Sequence, residues 1–102
     1  MIHVIATIKV KPGMREKFLG ILKANVPLVS AEKGCIAYAP AVDVESGIPV
    51  QVDLRPDVVT LVEAWESLDD LRTHLKAPHM LAYREKVKDI VKNISLHVMA
   101  PA

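Results

Sequence analysis

The chain has 102 residues, 51% of them apolar, with 13 basic and 12 acidic side chains for a formal net charge of +1. That length fits a single domain, residues 1–102, and the balanced charge leaves no basic field for nucleic acid or an anionic membrane. No apolar run approaches the ~20 residues that cross a bilayer. The opening MIHVIATIKVK lacks the marks of a signal peptide, and the lone Cys35 excludes an internal disulfide, so a soluble, cytoplasmic protein is expected.

A chain this short buries only about 60–65% of its unfolded surface when folded alone. Its apolar content exceeds the usual ~45–50%. The surplus predicts a second apolar surface, met most simply by another copy of the chain.

From Ile2 to Val10 the residues alternate. Ile2, Val4, Ala6, Ile8 and Val10 face one way, and His3, Ile5, Thr7 and Lys9 the other, which is the period of a strand. Lys11-Pro12-Gly13 ends it. Between Met14 and Glu32 the period lengthens. Phe18, Ile21, Leu22, Val26 and Val29 recur every three or four residues and predict a helix with a buried stripe. Pro27 predicts a kink or an early end. Lys33-Gly34 closes the helix, with glycine available for a left-handed turn.

Residues 35–44 read as a second strand, with Pro40 marking an edge position or a bulge. Residues 45–57, ESGIPVQVDLRPD, read as a long connection with room for a short strand at 50–52. A third strand follows over 58–66. Ser67 then caps a helix whose expected buried side is Leu68, Leu71 and Leu75. Pro78 breaks that helix, and a second segment is expected over 78–92 with Leu81, Val87, Ile90 and Val91 buried. Residues 93–99 make the last strand.

The order β-α-β-β-α-β predicts an α+β fold, a ferredoxin-like antiparallel sheet with helices on one face. Two such sheets packed face to face would cover the other face.

The stretch from Thr60 to Tyr83 concentrates the chemistry. Glu63 lies inside a buried strand, where a carboxylate must be hydrogen-bonded, paired or protonated. Its simplest role is an ion pair with Arg or Lys. Its sharper role is to face a pocket and move a proton. Trp65 shares the face of Glu63. With Tyr38 and Tyr83 it is either core filler or a surface for a planar ligand. His74 and His79 flank the break at Pro78. Each is either a helix-end residue or a general base. A metal site with Glu63 as third ligand is disfavoured, since the five-residue spacing across a proline does not match the i, i+4 pair of metalloproteases. His3, His97 and Cys35 read as structural. No phosphate loop, dinucleotide fingerprint or serine elbow is present.

The pattern Leu61-x-Glu63-x-Trp65 followed by His74-x-x-x-Pro78-His79, with Gly34-Cys35 and Ala37-Tyr38-Ala39-Pro40, resembles the antibiotic biosynthesis monooxygenase family, and in particular its bacterial quinol monooxygenase branch. The resemblance covers essentially the whole chain. It implies a dimeric α+β barrel. It also implies oxygenation of an electron-rich aromatic such as a quinol by dioxygen, without flavin, haem or metal. On that reading His74 or His79 is the base. Tyr38, Trp65 and Tyr83 hold the ring. Glu63 orients a histidine or bonds a substrate hydroxyl. Two other readings stay open. One is a sugar-phosphate isomerase of quorum-signal breakdown on the same fold, with Arg55, Arg72 or Arg84 meeting the phosphate. The other is a dimeric ligand-binding or stress module without turnover.

Overall fold

The structure, a computed structural model, describes residues 1–102. The alternation at the start of the chain builds β1 (Ile2–Val10) and sends Val4, Ala6, Ile8 and Val10 into the core. The helical stripe then forms α1 (Arg15–Ser30), which buries Phe18, Leu19, Leu22, Asn25 and Val29. β2 (Cys35–Ala41), β3 (Val58–Trp65), α2 (Leu68–Leu75), α3 (Pro78–Val87) and β4 (Val91–Met99) follow.

The four strands form one antiparallel sheet in the order β2-β3-β1-β4. Register puts Val4 opposite Glu63, Ala6 opposite Leu61, and Tyr38 opposite Glu63 on the other flank. Those residues share a face with Val59 and Trp65, because side chains alternate along each strand. The 17-residue core joins that face to Phe18, Leu22, Leu71, Met80, Tyr83 and Val87 of the helices. All three helices therefore pack on one side, as the ferredoxin-like order requires. Phe18 is fully buried in this layer, and truncating it to alanine would cost about 3–5 kcal/mol.

Several boundaries differ from the sequence reading. β2 stops at Ala41, and residues 50–52 form no strand. α1 runs three residues past Pro27, since an exposed proline late in a helix loses one hydrogen bond without meeting a neighbour. α3 ends at Val87, and β4 begins earlier than expected because Val91 pairs with Val10. Pro40 is on an edge strand, as expected, and pairs in regular register with Leu61; the register slips instead between Cys35 and Ala37.

Leu68, Leu75 and Leu81 are exposed rather than buried. In helices this short the packing, not the stripe, selects the inward side. α2 turns Leu71 and His74 inward, and α3 turns Met80, Tyr83 and Val87.

Candidate active site

Local signals place both histidines. The Ser67 hydroxyl accepts from the Asp70 backbone N–H at 3.1 Å and starts α2. The Lys76 and Ala77 N–H groups close its end by bonding back to Thr73 and His74. Pro78 then occupies the first turn of α3, where a missing N–H costs nothing. His74 is left in the last turn of α2 and His79 in the first turn of α3.

The third member of the cluster is Glu32, just beyond α1. Its backbone N–H bonds the Val29 carbonyl. Two residues later Gly34 takes φ +80°, and a Cβ there would lie 2.2 Å from the Asp70 carboxylate. Only glycine allows this approach. Its carbonyl accepts from the Glu66 N–H at 2.9 Å. The segment is thus pressed against the start of α2. Glu32 Oε2 lies 2.8 Å from His74 Nδ1 and 3.0 Å from His79 Nε2.

His74 is 2% exposed. Its ring packs 4.6 Å from Trp65 and edge-on to Tyr38 at 5.5 Å. Burial pulls its pKa down, while the bond to Glu32 and the charge of that carboxylate push it up; burial wins. The ring's one hydrogen bond runs through Nδ1. No buried side-chain nitrogen or oxygen lacks a partner. The Nε2 atom must therefore meet open space.

His74 lines a cavity of about 310 Å³ between the sheet and α2–α3, at the small end of ligand pockets. Its walls are mostly apolar, with Ala6, Ile8, Leu61, Met80 and Val87 among them. Four chemically able side chains also line it: Tyr38, Glu63, His74 and Tyr83. Arg84 and Lys88 stand at its edge. Glu63 Oε1 accepts from Trp65 Nε1 at 3.0 Å. Burial raises the Glu63 pKa, the indole bond opposes the rise, and Glu32 adds to it. Burial likewise raises both tyrosines, so each is a neutral hydroxyl at pH 7.

The structure brings Tyr38, Glu63, His74 and Tyr83 to one cavity. Trp65 lies behind His74 and does not line it, and His79 opens on separate surface hollows. Glu63 has no Arg or Lys partner; its bond is to Trp65. Glu32, not Glu63, meets the histidines. Three donors therefore exist for a cation, Glu32, His74 and His79, all within 4.8 Å of one another. Their 2.8 and 3.0 Å spacings are those of N–H···O bonds. Arg55 makes two side-chain bonds to Asp43, and Arg72 pairs with Asp69, so neither serves the cavity. Cys35 is half-buried, and burial raises its pKa, which suits a structural thiol.

Fold and cavity together define a ferredoxin-like α+β protein that can hold a small, largely apolar molecule beside a buried histidine. The description of the antibiotic biosynthesis monooxygenase family matches residues 1–86, and the chain belongs to that monooxygenase family. It is 40% identical, over 99% of its length and 98% of the relative's, to proteins named "probable quinol monooxygenase YgiN" from Escherichia coli and Shigella flexneri. Solved structures share the fold. One, Rv0793 from Mycobacterium tuberculosis, is 25% identical with a TM-score of 0.80, covering 99% of this chain and 94% of that one. Another, from Pseudomonas aeruginosa, is 23% identical with a TM-score of 0.81, covering 99% and 93%.

Proposed function

We propose that the protein oxidises a small quinol with dioxygen in the cavity between the sheet and α2–α3, with His74 as the base. The observation that carries this reading is the free Nε2 of His74 at an apolar cavity shared with Glu63 and two neutral tyrosines. The 40% identity to proteins named "probable quinol monooxygenase" supports the substrate class.

The chemistry is balanced by the substrate itself. His74 takes a hydroxyl proton, and the resulting quinolate can pass an electron to dioxygen. Full reaction of one quinol with one dioxygen gives one hydroxyquinone and one water. The quinol supplies all four electrons, so the stoichiometry calls for no second reductant. What the protein contributes is a base, exclusion of water and orientation. Glu63 bonds the second hydroxyl, Tyr38 and Tyr83 contact the ring, and Trp65 backs His74.

A second reading has one observation in its favour. Arg84 and Lys88 edge the cavity, and a sugar phosphate would need such cations. The inert-module reading expects a paired Glu63, two surface histidines and no cavity, and none of these is found. Oxygen uptake with a reduced naphthoquinol tests the leading reading. Uptake above autoxidation that is lost in His74→Ala supports it. Uptake equal to autoxidation removes it.

The working unit in this reading is a homodimer. The sheet face away from the helices carries Ile5, Val62 and Met99 among Ala37, Ala39 and Ala41, with Val62 44% exposed. Total accessible area is 6486 Å², against about 5,700 Å² expected for an 11.2 kDa monomer. A four-stranded face about 30 by 19 Å buries about 1,100 Å² when two copies meet, enough for a specific interface.

A further inference from the structure

Two imidazoles meet at one carboxylate oxygen. Glu32 Oε2 lies 2.8 Å from His74 Nδ1 and 3.0 Å from His79 Nε2. Exposure rises along the line, from 2% for the His74 side chain to 14% for Glu32 and 22% for His79. We propose that Glu32 is the positioning residue of the site, holding His74 in the tautomer that turns a lone pair on Nε2 into the cavity, and that His79 pins Glu32 from the solvent side. This inference rests on the reading of His74 as the base.

The argument is one of donors and acceptors. A neutral imidazole carries a single N–H, and an ionised carboxylate only accepts. A bond from Nδ1 to Glu32 places that N–H on Nδ1 and leaves Nε2 as the acceptor. With Nδ1 bonded to Glu32, Nε2 is the ring nitrogen left to serve the cavity that His74 lines. Without Glu32 the ring could carry its proton on Nε2 and have nothing to offer a substrate hydroxyl. When the quinol O–H breaks, its proton forms a new N–H at Nε2, and negative charge remains on the quinol oxygen. The proton on Nδ1 stays where it is. The imidazolium so formed then faces a carboxylate at 2.8 Å, which favours the charged ring. His79 matters because Glu32 lies outside regular structure. A second N–H on the same oxygen holds the carboxylate where His74 needs it.

The charged and titratable groups around His74 come from every neighbouring element. They are Glu32 beyond α1, Tyr38 on β2, Glu63 on β3, and His79, Tyr83 and Arg84 on α3. Of these, only Glu32 bonds the ring and raises its basicity. Replacing it by an uncharged amide makes His74 a weaker base, so the acid limb of the activity profile must move to lower pH while the plateau falls. A purely structural role for Glu32 would leave the limb in place.

The test uses Glu32→Gln, Glu32→Asp, His79→Ala and His74→Ala in naphthoquinol oxygen uptake across pH, with ¹⁵N NMR of the histidine rings. The wild-type protein should show His74 with its proton on Nδ1. Glu32→Gln should lower kcat by roughly tenfold or more, since the carboxylate that orients a catalytic imidazole can be worth up to ~10⁴-fold. It should also shift the acid limb down and give mixed tautomers. Glu32→Asp, which keeps the charge, should recover part of the rate, and His79→Ala should give a weaker form of the Gln phenotype. A wild-type His74 protonated on Nε2 overturns the inference. So does a Glu32→Gln protein with unchanged kcat and acid limb while His74→Ala is inactive. If His74→Ala keeps the full rate, the assignment of the base fails instead, and the NMR tautomer still decides what Glu32 does to the ring.

Discussion

Trp65 Nε1 donates to Glu63 Oε1 at 3.0 Å, two residues back along the same strand and on the same face. The indole is fully buried and the carboxyl nearly so. One bond therefore satisfies the tryptophan and leaves the second carboxyl oxygen of a cavity-lining residue without a protein partner. The arrangement holds a carboxyl in an apolar wall without a cation. Sequence spacing shows the shared face, but not that the two side chains bond each other.

Glu63 should destabilise the fold at neutral pH. Burial raises its folded-state pKa above the unfolded value of about 4.5. The native state thus holds its proton more tightly than the unfolded chain. The stabilising contribution is fully present below that unfolded value and is lost as pH rises through the folded one. Glu63→Gln keeps an acceptor for Trp65 and has nothing to ionise. Its denaturant midpoint should equal or trail the wild type at pH 4 and exceed it at pH 8. Oxygen uptake should fall in the same protein. An equal midpoint difference at both pH values would show that Glu63 titrates normally.

His74 sets the opposite slope. Burial lowers its pKa below about 6.5. Its neutral form, which stabilises the native state, prevails above the unfolded value, and that contribution is lost as pH falls through the folded value. A base must also be unprotonated to act. The acid limb of kcat/KM should therefore lie below pH 6.5, and His74→Ala should remove about 10²-fold or more of the rate. An acid limb above pH 7 would assign the titration to another group.

Much of this was legible in the chain, and the reasons for the rest are physical. The alternation of β1 and the signals at Ser67 and Pro78 act within a few residues, so β1, the start of α2 and the break before α3 read directly. Gly34 was readable as a turn, but its approach to Asp70 depends on how α1 and α2 pack. Glu32 was invisible for that reason. It is 42 residues from His74 in sequence, and beside Lys33 it resembles any solvated helix end. Its one signal was position, directly before the glycine that forces the close approach. Asn25, which was not expected inside, is buried with its amide 3.4 Å from the Met80 sulfur.

The Glu32, His74 and His79 donors should make zinc an inhibitor. Two imidazoles and a carboxylate suit Zn²⁺, but a cation would take the Nδ1 lone pair that the active tautomer uses for its proton. Chelator treatment should leave oxygen uptake unchanged, and micromolar Zn²⁺ should depress it. His79→Ala should weaken that inhibition. Loss of activity on chelation, restored by metal, would instead make the cluster a working metal site.

Dimerisation through the open sheet face can be tested away from the cavity. Val62 lies near the middle of that face, opposite Ile5 on β1 and Ala39 on β2. Its neighbours toward the helices, Leu61 and Glu63, belong to the other face, so changing Val62 need not touch the site directly. In a face-to-face dimer a glutamate there would bury an unpaired charge from each copy beside Ile5 and Ala39, which costs several kcal/mol. The arm between β2 and β3 adds further apolar surface, with Val50 88% exposed. Its base is held by the bidentate Asp43–Arg55 pair. Sedimentation velocity should give a dimer for the wild type and an 11.2 kDa species for Val62→Glu. The monomer should keep its helical signal and lose thermal stability, because the apolar side chains that a dimer would cover are returned to water. A wild-type protein that sediments as a monomer at tens of micromolar would end the dimer proposal and leave that face exposed in the working state.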